Sequence, residues 1–375
     1  MKKVLVTGAR GFIGRNLVLA LGRDPKVELC LVDLNTPAEE LEHGLDVCNV
    51  IFHLAGVNRP PKEQDFEIGN VGSLAGVLSG LEARNRRPQV VLSSSTQALL
   101  DNAYGRSKRR AEEILLDFAA RTETLARIFR LPGVFGKWCR PNYNSVVATF
   151  CHNVAHDIPI RITDPARELE LVHIDDVVAS FLGALDGQDR AGTDGFYHVE
   201  PIFKITLNRL AKMIQGFHDS RKSLIIPDFL EHFTRCLYST YISYLPTTGF
   251  VYSLEQREDS RGTLAEMFKS PHFGQIFVSR TRPGIVRGNH YHDMKVEKFA
   301  VLEGEAAIRF RDIQGDDVIE YRVSGKEFRV VDIPPGYTHS IENVGQSELI
   351  VLFWAYEPLN LANPDTYPLT VRKEK

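Results

Sequence analysis

The amino-acid sequence predicts an α/β doubly wound parallel sheet followed by an all-β jelly roll. Short apolar runs alternate with helical stretches in the first part of the chain, as in β-α units. From about residue 250 short strands dominate instead, separated by turn glycines such as Gly284, Gly304 and Gly345. At 375 residues the chain is long for one domain and sufficient for two. We therefore expect one domain over residues 1–245 and a second over residues 250–375.

The parallel sheet is predicted from four apolar runs. Residues 4–6 form a buried strand, and a helix follows from about residue 11 to residue 21. Residues 29–32 form the second strand, and residues 50–54 and 90–93 form two more. Because these runs are mostly apolar, helices should cover both faces of the sheet.

The jelly roll is predicted from a different texture after residue 250. The strands are residues 275–278, 299–302, 307–310 and 349–353. Short strands with glycine turns between them build a small antiparallel barrel or jelly roll.

Composition and charge restrict the class of protein. Hydrophobic residues make up 43% and charged residues 25%, an ordinary globular balance. A net charge of −3 provides no basic field for nucleic acid. The cysteine count of 5 is odd and no Cys-x-x-Cys occurs, which favours reduced thiols. The first apolar run is too short for a signal peptide or a membrane span, so we expect a cytoplasmic protein without membrane contact.

A glycine-rich turn follows the first strand. Gly8, Gly11 and Gly14 stand three residues apart, with Phe12 and Ile13 at the start of the helix. Glycines allow the backbone to approach a pyrophosphate closely, and the helix N-terminus then binds its charge. Strand, turn, helix and second strand occur in the order that a Rossmann-type dinucleotide site requires.

Two charged residues bear on the choice between NADH and NADPH. Asp33 ends the second strand, where a carboxylate would bond a ribose 2′-hydroxyl and repel a 2′-phosphate, which favours NADH. Arg10 lies inside the glycine turn, where a guanidinium could pair with the 2′-phosphate of NADPH. Either residue is also compatible with a solvated surface charge.

A candidate reductase site follows the fourth strand. Residues 93–96 read Ser-Ser-Ser-Thr, and Tyr104 and Lys108 stand four apart on one helix face. A cationic Lys108 should lower the pKa of the Tyr104 phenol. The phenol can then pass a proton to a carbonyl oxygen while hydride arrives from nicotinamide, and a serine hydroxyl holds the same oxygen.

A candidate metal site lies in the second domain. His290 and His292 point to one face of a strand, because side chains alternate with period two. Glu297 and His339 could join them inside a barrel. Three imidazoles and one carboxylate suit Zn, Fe, Mn or Ni.

The first domain resembles the extended short-chain dehydrogenase/reductase family in the spacing of its glycines. Leu54, Ala55 and Gly56 resemble the segment of that family that lines the cofactor. The resemblance implies Ser95 as the catalytic serine, with Thr96 as the alternate.

Two further segments that contain candidate site residues resemble known families. The segment from His173 to Asp176 resembles one near the sugar-nucleotide pocket of that family, although a helix N-terminus with acidic residues explains it equally. The His290 and His339 motifs are similar to the cupin signature. A departure is Phe328, where the second cupin motif normally begins with glycine.

Over nearly its full length the chain resembles bacterial bifunctional enzymes of capsular polysaccharide biosynthesis, in which an extended reductase is fused to a C-terminal cupin. Residues 53–60, 135–145, 237–241 and 334–343 carry this resemblance. It implies synthesis of UDP-N-acetyl-L-fucosamine: the cupin epimerises carbon 3 of a UDP-4-keto-6-deoxy-N-acetylhexosamine, and the reductase reduces the carbon 4 ketone to UDP-N-acetyl-6-deoxytalosamine. It also implies NADPH, zinc in the cupin and a homodimer.

The resemblance also implies which residues meet the UDP-sugar. They lie in residues 137–145, where Asn142, Tyr143 and Asn144 could bond uracil, ribose or phosphate and Arg140 could face the diphosphate. The chain departs from the family where Asp33 takes the place of a basic residue, so NADH stays possible.

Two other functions remain open from the sequence. In one, only the reductase is active and the cupin serves dimerisation. In the other, the chain is a sensor that binds NAD(P) or a sugar nucleotide without turnover, although Tyr104, Lys108 and Ser95 argue against this because a sensor needs no proton donor.

Overall fold

The structure is a computed structural model that describes residues 1–362 and 364–372. It divides into two compact units. The first contains Met1–Gln215 and Arg235–Pro246, and the second contains Gly216–Thr234 and the chain from Thr247 onward. This grouping assigns the short segment Gly216–Thr234 to the second unit. The domain limits 1–245 and 250–375 stay a prediction.

The first unit is built on a parallel sheet with the strand order β2-β1-β3-β4-β5. Its strands are β1 (Lys2–Thr7), β2 (Val27–Val32), β3 (Val50–His53), β4 (Gln89–Ser95) and β5 (Ala126–Leu131). The prediction of a parallel sheet is confirmed, and its strands overlap the predicted runs.

A smaller sheet follows in the order β6-β7-β8, parallel and then antiparallel. Its strands are β6 (Gly133–Phe135), β7 (Glu168–His173) and β8 (Phe203–Thr206).

Helices lie between most of these strands, and two more follow the last one. In order they are α1 (Phe12–Leu21), α2 (Ala38–Val47), α3 (Gln64–Phe66), α4 (Ser73–Ala83), α5 (Ala103–Thr122), α6 (Val146–Ala155), α7 (Ile174–Asp186), α8 (Leu207–Ser223) and α9 (His232–Ile242). A π-helical turn, Glu67–Gly72, joins α3 to α4, and 3-10 turns lie at Thr96–Leu99 and Thr247–Gly249. None of the helices in the described part of the chain combines the length and apolar character needed to cross a membrane.

Neighbouring residues of each central strand enter cores on opposite faces of the parallel sheet. Val4 and Val6 pack with Phe181 of α7 in one core, while Leu5 packs with Leu74 of α4 and Leu115 of α5 in the other. This explains the unbroken apolar runs, because a strand covered by helices on both sides has no polar face. The fold is doubly wound, as predicted.

The second unit is antiparallel in both of its sheets. One has the order β16-β13-β18-β11-β10-β9 and the other β15-β14-β17-β12-β19. The strands are β9 (Gln256–Asp259), β10 (Gly262–Ser270), β11 (Gly274–Thr281), β12 (Val286–Tyr291), β13 (Glu297–Glu303), β14 (Glu305–Asp312), β15 (Val318–Ser324), β16 (Val330–Ile333), β17 (Tyr337–Asn343), β18 (Leu349–Ala355) and β19 (Tyr367–Pro368).

The core of this unit lies between the two sheets. Phe299 and Phe353 come from the first sheet, and Ile308 and Ile341 come from the second. Face-to-face sheets that share one apolar core form the expected jelly-roll architecture, consistent with a cupin. Phe328 is exposed between β15 and β16, away from this core.

Candidate reductase and metal sites

The glycine turn brings the backbone after β1 against the segment after β3. Gly8 has φ +68°, and a Cβ there would lie 2.7 Å from the backbone nitrogen of Ala55. A Cβ on Gly14 would lie 2.1 Å from the carbonyl oxygen of Gly8. A larger residue at Gly8 would collide with the Leu54–Gly56 segment, and one at Gly14 would collide with the turn itself. The turn leads directly into the N-terminus of α1, where Gly11 is the N-cap, and the N-terminus of a helix is the part that binds phosphate.

Asp33 is held at the edge of this turn. Its carboxylate accepts hydrogen bonds from the backbone N–H of Arg10, at 2.7 Å, and of Leu34, at 2.8 Å. An open cleft of about 400 Å³ is lined by Arg10, Asp33, Thr36 and Trp138, among others. The structure thus places Arg10 and Asp33 beside each other. These are the two residues that bear on the choice between NADH and NADPH.

The predicted reductase residues meet where β4 ends and α5 begins. The side chain of Asn102 caps α5 by accepting from the N–H of Gly105, at 2.8 Å, which fixes the turn that carries Tyr104. Lys108 donates to the carbonyl oxygen of Ser93, at 3.0 Å, and its Nζ lies 5.9 Å from the centroid of the Tyr104 ring.

The electrostatics of this group differ from the simple expectation. Burial raises the pKa of Tyr104 to about 12, against the effect of a hydrogen bond with Ser95 that lowers it. Burial also lowers the pKa of Lys108 to about 8. The lowering of the Tyr104 pKa that we expected from Lys108 is therefore not found, and burial raises the pKa instead. A phenol of high pKa keeps its proton at neutral pH, as a general acid must before transfer.

Ser95 rather than Thr96 contacts the phenol. Ser95 is buried at the end of β4, and its hydroxyl also accepts from the N–H of Gln97, at 3.2 Å. Thr96 begins the 3-10 turn. The geometry agrees with the choice of Ser95, whose catalytic role stays a prediction.

The segment predicted to bind the substrate, residues 137–145, contains non-glycine residues with positive φ. Trp138 and Asn142 have φ of 69° and 55°, and the N–H of Asn142 donates to Thr149, at 3.0 Å. The guanidinium of Arg140 lies 5.2 Å from the centroid of the Tyr143 ring. The proximity of Tyr143 also raises the pKa of Tyr104, so the structure brings this segment to the reductase group.

Asn142 and Asn144 are exposed at the surface of that segment. Their contacts with a sugar nucleotide stay a prediction.

His173 has a clear structural role. It ends β7, and its ring accepts from the N–H of Asp175, at 3.4 Å, as the N-cap of α7. His173, Asp176 and Cys236 also bring possible metal ligands within 4.8 Å of one another. Burial, with Asp176 and Asp175 nearby, raises the pKa of Cys236 to about 11, so this thiol stays protonated at neutral pH. A substrate role for His173 stays a prediction.

The four predicted metal ligands converge in the second unit. His290, His292, Glu297 and His339 place ligand atoms within 4.8 Å of one another. β12 and β17 pair so that His290 lies opposite His339, and an irregularity between Gly288 and His290 sets the register. The Nε2 atoms of His292 and His339 lie 3.5 Å and 3.7 Å from Oε2 of Glu297.

Protonation in this cluster suits a divalent cation. Burial, with the neighbouring imidazoles, lowers the pKa of His339 to about 3, and burial with His292 lowers that of His290. For Glu297, the imidazoles led by His292 overcome the effect of burial and lower the carboxyl pKa. Neutral imidazoles at His290 and His339 beside an ionised Glu297 agree with the protonation state that metal binding requires.

The hydrogen bonds of the cluster also fit a metal. Among the described residues, Nε2 of His292 and both ring nitrogens of His339 are buried without a hydrogen-bond partner. Nδ1 of His292 lies 2.5 Å from the carbonyl oxygen of Asp365. Donation to that oxygen leaves the Nε2 lone pair facing the cluster, as in metal sites whose histidines are oriented by a carbonyl.

Comparison with known proteins shows the family to which the chain belongs. Residues 84–199 match the NAD dependent epimerase/dehydratase family, and residues 257–367 match the polysaccharide biosynthesis C-terminal domain. The capsular polysaccharide assembling protein CapF from Staphylococcus aureus has a TM-score of 0.92 and 42% identity, covering 98% of this chain and 99% of that one. The chain belongs to the CapF family.

A second relative covers the same length. The UDP-2-acetamido-2,6-beta-L-arabino-hexul-4-ose reductase of Pseudomonas aeruginosa is 42% identical over 369 residues, 98% of this chain and 99% of that protein. A UDP-N-acetylglucosamine 4-epimerase from Methanobrevibacter ruminantium, at 19% identity and a TM-score of 0.55, covers 65% of this chain and 98% of its own and shares the fold alone. Membership of the CapF family confirms the resemblance drawn from the sequence.

Two groups near the sites were missed by sequence reasoning. Asn70, in the π-helical turn, bonds both backbone groups of Val57 and the hydroxyl of Ser107, which ties the chain directly after Gly56 to α5. In the second unit, Lys295 is buried and donates to the carbonyl oxygen of Pro364, at 2.6 Å, while Asp365 accepts from the N–H of Lys295, at 2.7 Å. No spacing in the sequence signals either group.

Proposed function

We propose that this chain is a bifunctional nucleotide-sugar enzyme of capsular polysaccharide biosynthesis, on the route to UDP-N-acetyl-L-fucosamine. The second unit epimerises carbon 3 of a UDP-4-keto-6-deoxy-N-acetylhexosamine. The first unit reduces the carbon 4 ketone to give UDP-N-acetyl-6-deoxytalosamine. The observation that carries the proposal is a reductase group and a histidine–glutamate cluster on one chain that is 42% identical, over its whole length, to a UDP-hexulose reductase.

The reduction follows from the geometry around Tyr104. A ketone oxygen held by the hydroxyls of Ser95 and Tyr104 is polarised toward negative charge. The nicotinamide cofactor supplies hydride to carbon 4 when bound. Tyr104 gives its phenolic proton to the oxygen, and the Lys108 ammonium stabilises the phenolate that remains.

The epimerisation uses the same ketone differently. A carbonyl at carbon 4 acidifies the proton on carbon 3, so that a base can remove it and an acid can return it on the opposite face. His290, His292, Glu297 and His339 would hold a divalent cation, which supplies Lewis acidity to an enolate oxygen or stabilises the barrel. Zinc is the metal that the family resemblance implies, and the homodimer rests on the same resemblance.

The choice of nicotinamide is part of the proposal. Family resemblance favours NADPH, whereas the fixed carboxylate of Asp33 favours NADH by repelling a 2′-phosphate. The side chain of Arg10 is exposed beside it and can offset that repulsion by pairing with the phosphate. We keep NADPH as the proposed cofactor and NADH as its competitor.

One experiment tests both reactions and the cofactor. The protein is incubated with a UDP-4-keto-6-deoxy-N-acetylhexosamine in deuterated water, with NADH or NADPH, and the product is examined by NMR. We expect deuterium at carbon 3 and a reduced carbon 4. Reduction without deuterium would instead support a reductase with a structural cupin, and binding without turnover would support a sensor.

A further inference from the structure

Helix α5 carries a third ionisable residue on the face of Tyr104 and Lys108. Glu112 follows Lys108 by one helical turn, and its side chain is only 3% exposed. A carboxylate buried to this degree is rare unless its charge is paired. The reductase mechanism described above does not use it.

Glu112 joins α5 to two strands of the parallel sheet. It accepts from the hydroxyl of Ser94 on β4, at 2.5 Å, and from Arg130 on β5 through Nε, at 3.0 Å, and Nη2, at 2.7 Å. Ser94 and Arg130 are direct partners in the β4–β5 register. The guanidinium of Arg130 in turn lies 3.4 Å from the centroid of the Phe196 ring. This carboxylate is therefore held in one position.

Ser94 stands between two residues of the reductase group. The carbonyl oxygen of Ser93 accepts from Lys108, and the hydroxyl of Ser95 contacts Tyr104. By accepting the hydrogen bond from Ser94, Glu112 fixes the end of β4 against the helix that carries Tyr104 and Lys108. A shift of about 1 Å in such a group can cost on the order of 100-fold in rate.

Glu112 also acts on the charge of Lys108. The groups that face Lys108 are Tyr104 and Glu112 from α5, the Ser93 carbonyl from β4 and His53 from the end of β3. Burial, with Lys108 nearby, lowers the pKa of His53 to about 3, so this imidazole is neutral. Burial lowers the pKa of Lys108, and the carboxylate of Glu112 opposes that effect.

We propose that Glu112 is a positioning residue for the reductase: it fixes Tyr104 and Lys108 against the end of β4 and keeps Lys108 a cation. The inference deepens the proposed ketone reduction and rests on it for its effect on rate. Its effect on Lys108 is independent of the substrate.

The test measures the titration of Lys108 directly in the full-length protein. Lysines are labelled with ¹³C at Cε, and the Lys108 signal is assigned by its loss in Lys108→Arg. In Glu112→Gln we expect Lys108 to titrate at a pH about one unit lower, because an opposite charge has been removed. Glu113→Gln is the matched control, since Glu113 is exposed on the same helix and pairs with Arg110. An unchanged titration in Glu112→Gln would overturn the proposal.

A rate measurement separates this inference from the proposed function. If the chain reduces the ketone, kcat in Glu112→Gln should fall off at lower pH than in the wild type, because Lys108 loses its proton earlier as pH rises. A shifted Lys108 titration in a protein that reduces no UDP-4-keto sugar would refute the proposed reduction and, with it, the positioning role of Glu112 in that reaction.

A second variant tests the proposal in case Glu112→Gln does not fold. Ser94→Ala retains the carboxylate and removes its hydrogen bond to β4. We expect kcat to fall several-fold while Lys108 titrates at the wild-type pH. Wild-type kcat in Ser94→Ala would overturn the positioning role.

Discussion

Asp33 illustrates how the backbone can fix the charge of one side chain beside the predicted nucleotide site. Both carboxylate oxygens accept backbone N–H groups, one of them from Arg10 in the glycine turn. These two hydrogen bonds hold the carboxylate beside the glycine turn. In Tyr104, burial raises the pKa of the phenol, so that the side chain keeps its proton at neutral pH.

Replacement of Asp33 by Asn should change the preference for cofactor. Asn is nearly isosteric but carries no charge, so a 2′-phosphate is no longer repelled. We expect the ratio of kcat/KM for NADPH to that for NADH to rise by about tenfold, because like charges near a protein surface interact by on the order of 1–4 kcal/mol. Asp24→Asn, in the exposed turn before β2, is the control. An unaltered ratio in Asp33→Asn would remove this residue from the cofactor site.

Replacement of Tyr104 by Phe should abolish the proton donor and keep the ring. Nicotinamide binding, followed by fluorescence, should stay near normal. Ketone reduction should fall by about 10²–10⁴-fold, the usual contribution of general acid catalysis. Deuterium exchange at carbon 3 should persist, since the proposed epimerisation lies in the other unit. Turnover at the wild-type rate would refute the assignment of Tyr104.

At the scale of elements, α5 and the π-helical turn before α4 hold the reductase group. The turn presents Asn70 to Val57 on one side and to Ser107 on the other. The wider turn of a π-helix re-aims a side chain that a regular α-helix would direct elsewhere, and such turns are frequent at functional sites.

Replacement of Asn70 by Ala should loosen the segment that we predict to line the cofactor. The substitution leaves polar groups of Val57 and Ser107 without this partner, so we expect the free energy of unfolding to fall by about 2 kcal/mol. The KM for the nicotinamide cofactor should rise at the same time. Asn208→Ala, an exposed position at the start of α8, should change stability by less than about 0.5 kcal/mol in urea unfolding. Equal stability of the two variants would contradict the role of Asn70.

Much of the fold could be predicted because local patterns carry it. The apolar run of β1 predicts a strand buried on both faces, and the His290–His292 alternation predicts a shared strand face. The π-helical turn could not be predicted, since its hydrogen-bond shift leaves no mark in the apolar spacing. Asn70, Glu112 and Asp365 were missed because tertiary contacts, and not neighbours in sequence, give them their partners.

At the scale of the whole molecule, the two proposed reactions depend on the same carbon 4 ketone. Epimerisation is reversible while the carbon 4 ketone persists, because the acidic proton on carbon 3 depends on that ketone. Reduction removes the ketone and locks the new configuration. A single chain with both groups can therefore convert one ketone intermediate into one stable alcohol.

Loss of the histidine cluster should separate the two reactions. We expect His290→Ala with His292→Ala to remove the metal, measured by plasma mass spectrometry, and to lower deuterium exchange at carbon 3 by at least about 100-fold. Even groups one contact away from a metal change affinity or activity by about 10–100-fold. Reduction of a substrate already epimerised at carbon 3 should continue, because Tyr104 and Lys108 lie in the other unit. His43→Ala, an exposed histidine of α2, is the control. Exchange that survives metal loss would instead assign the cluster a structural role.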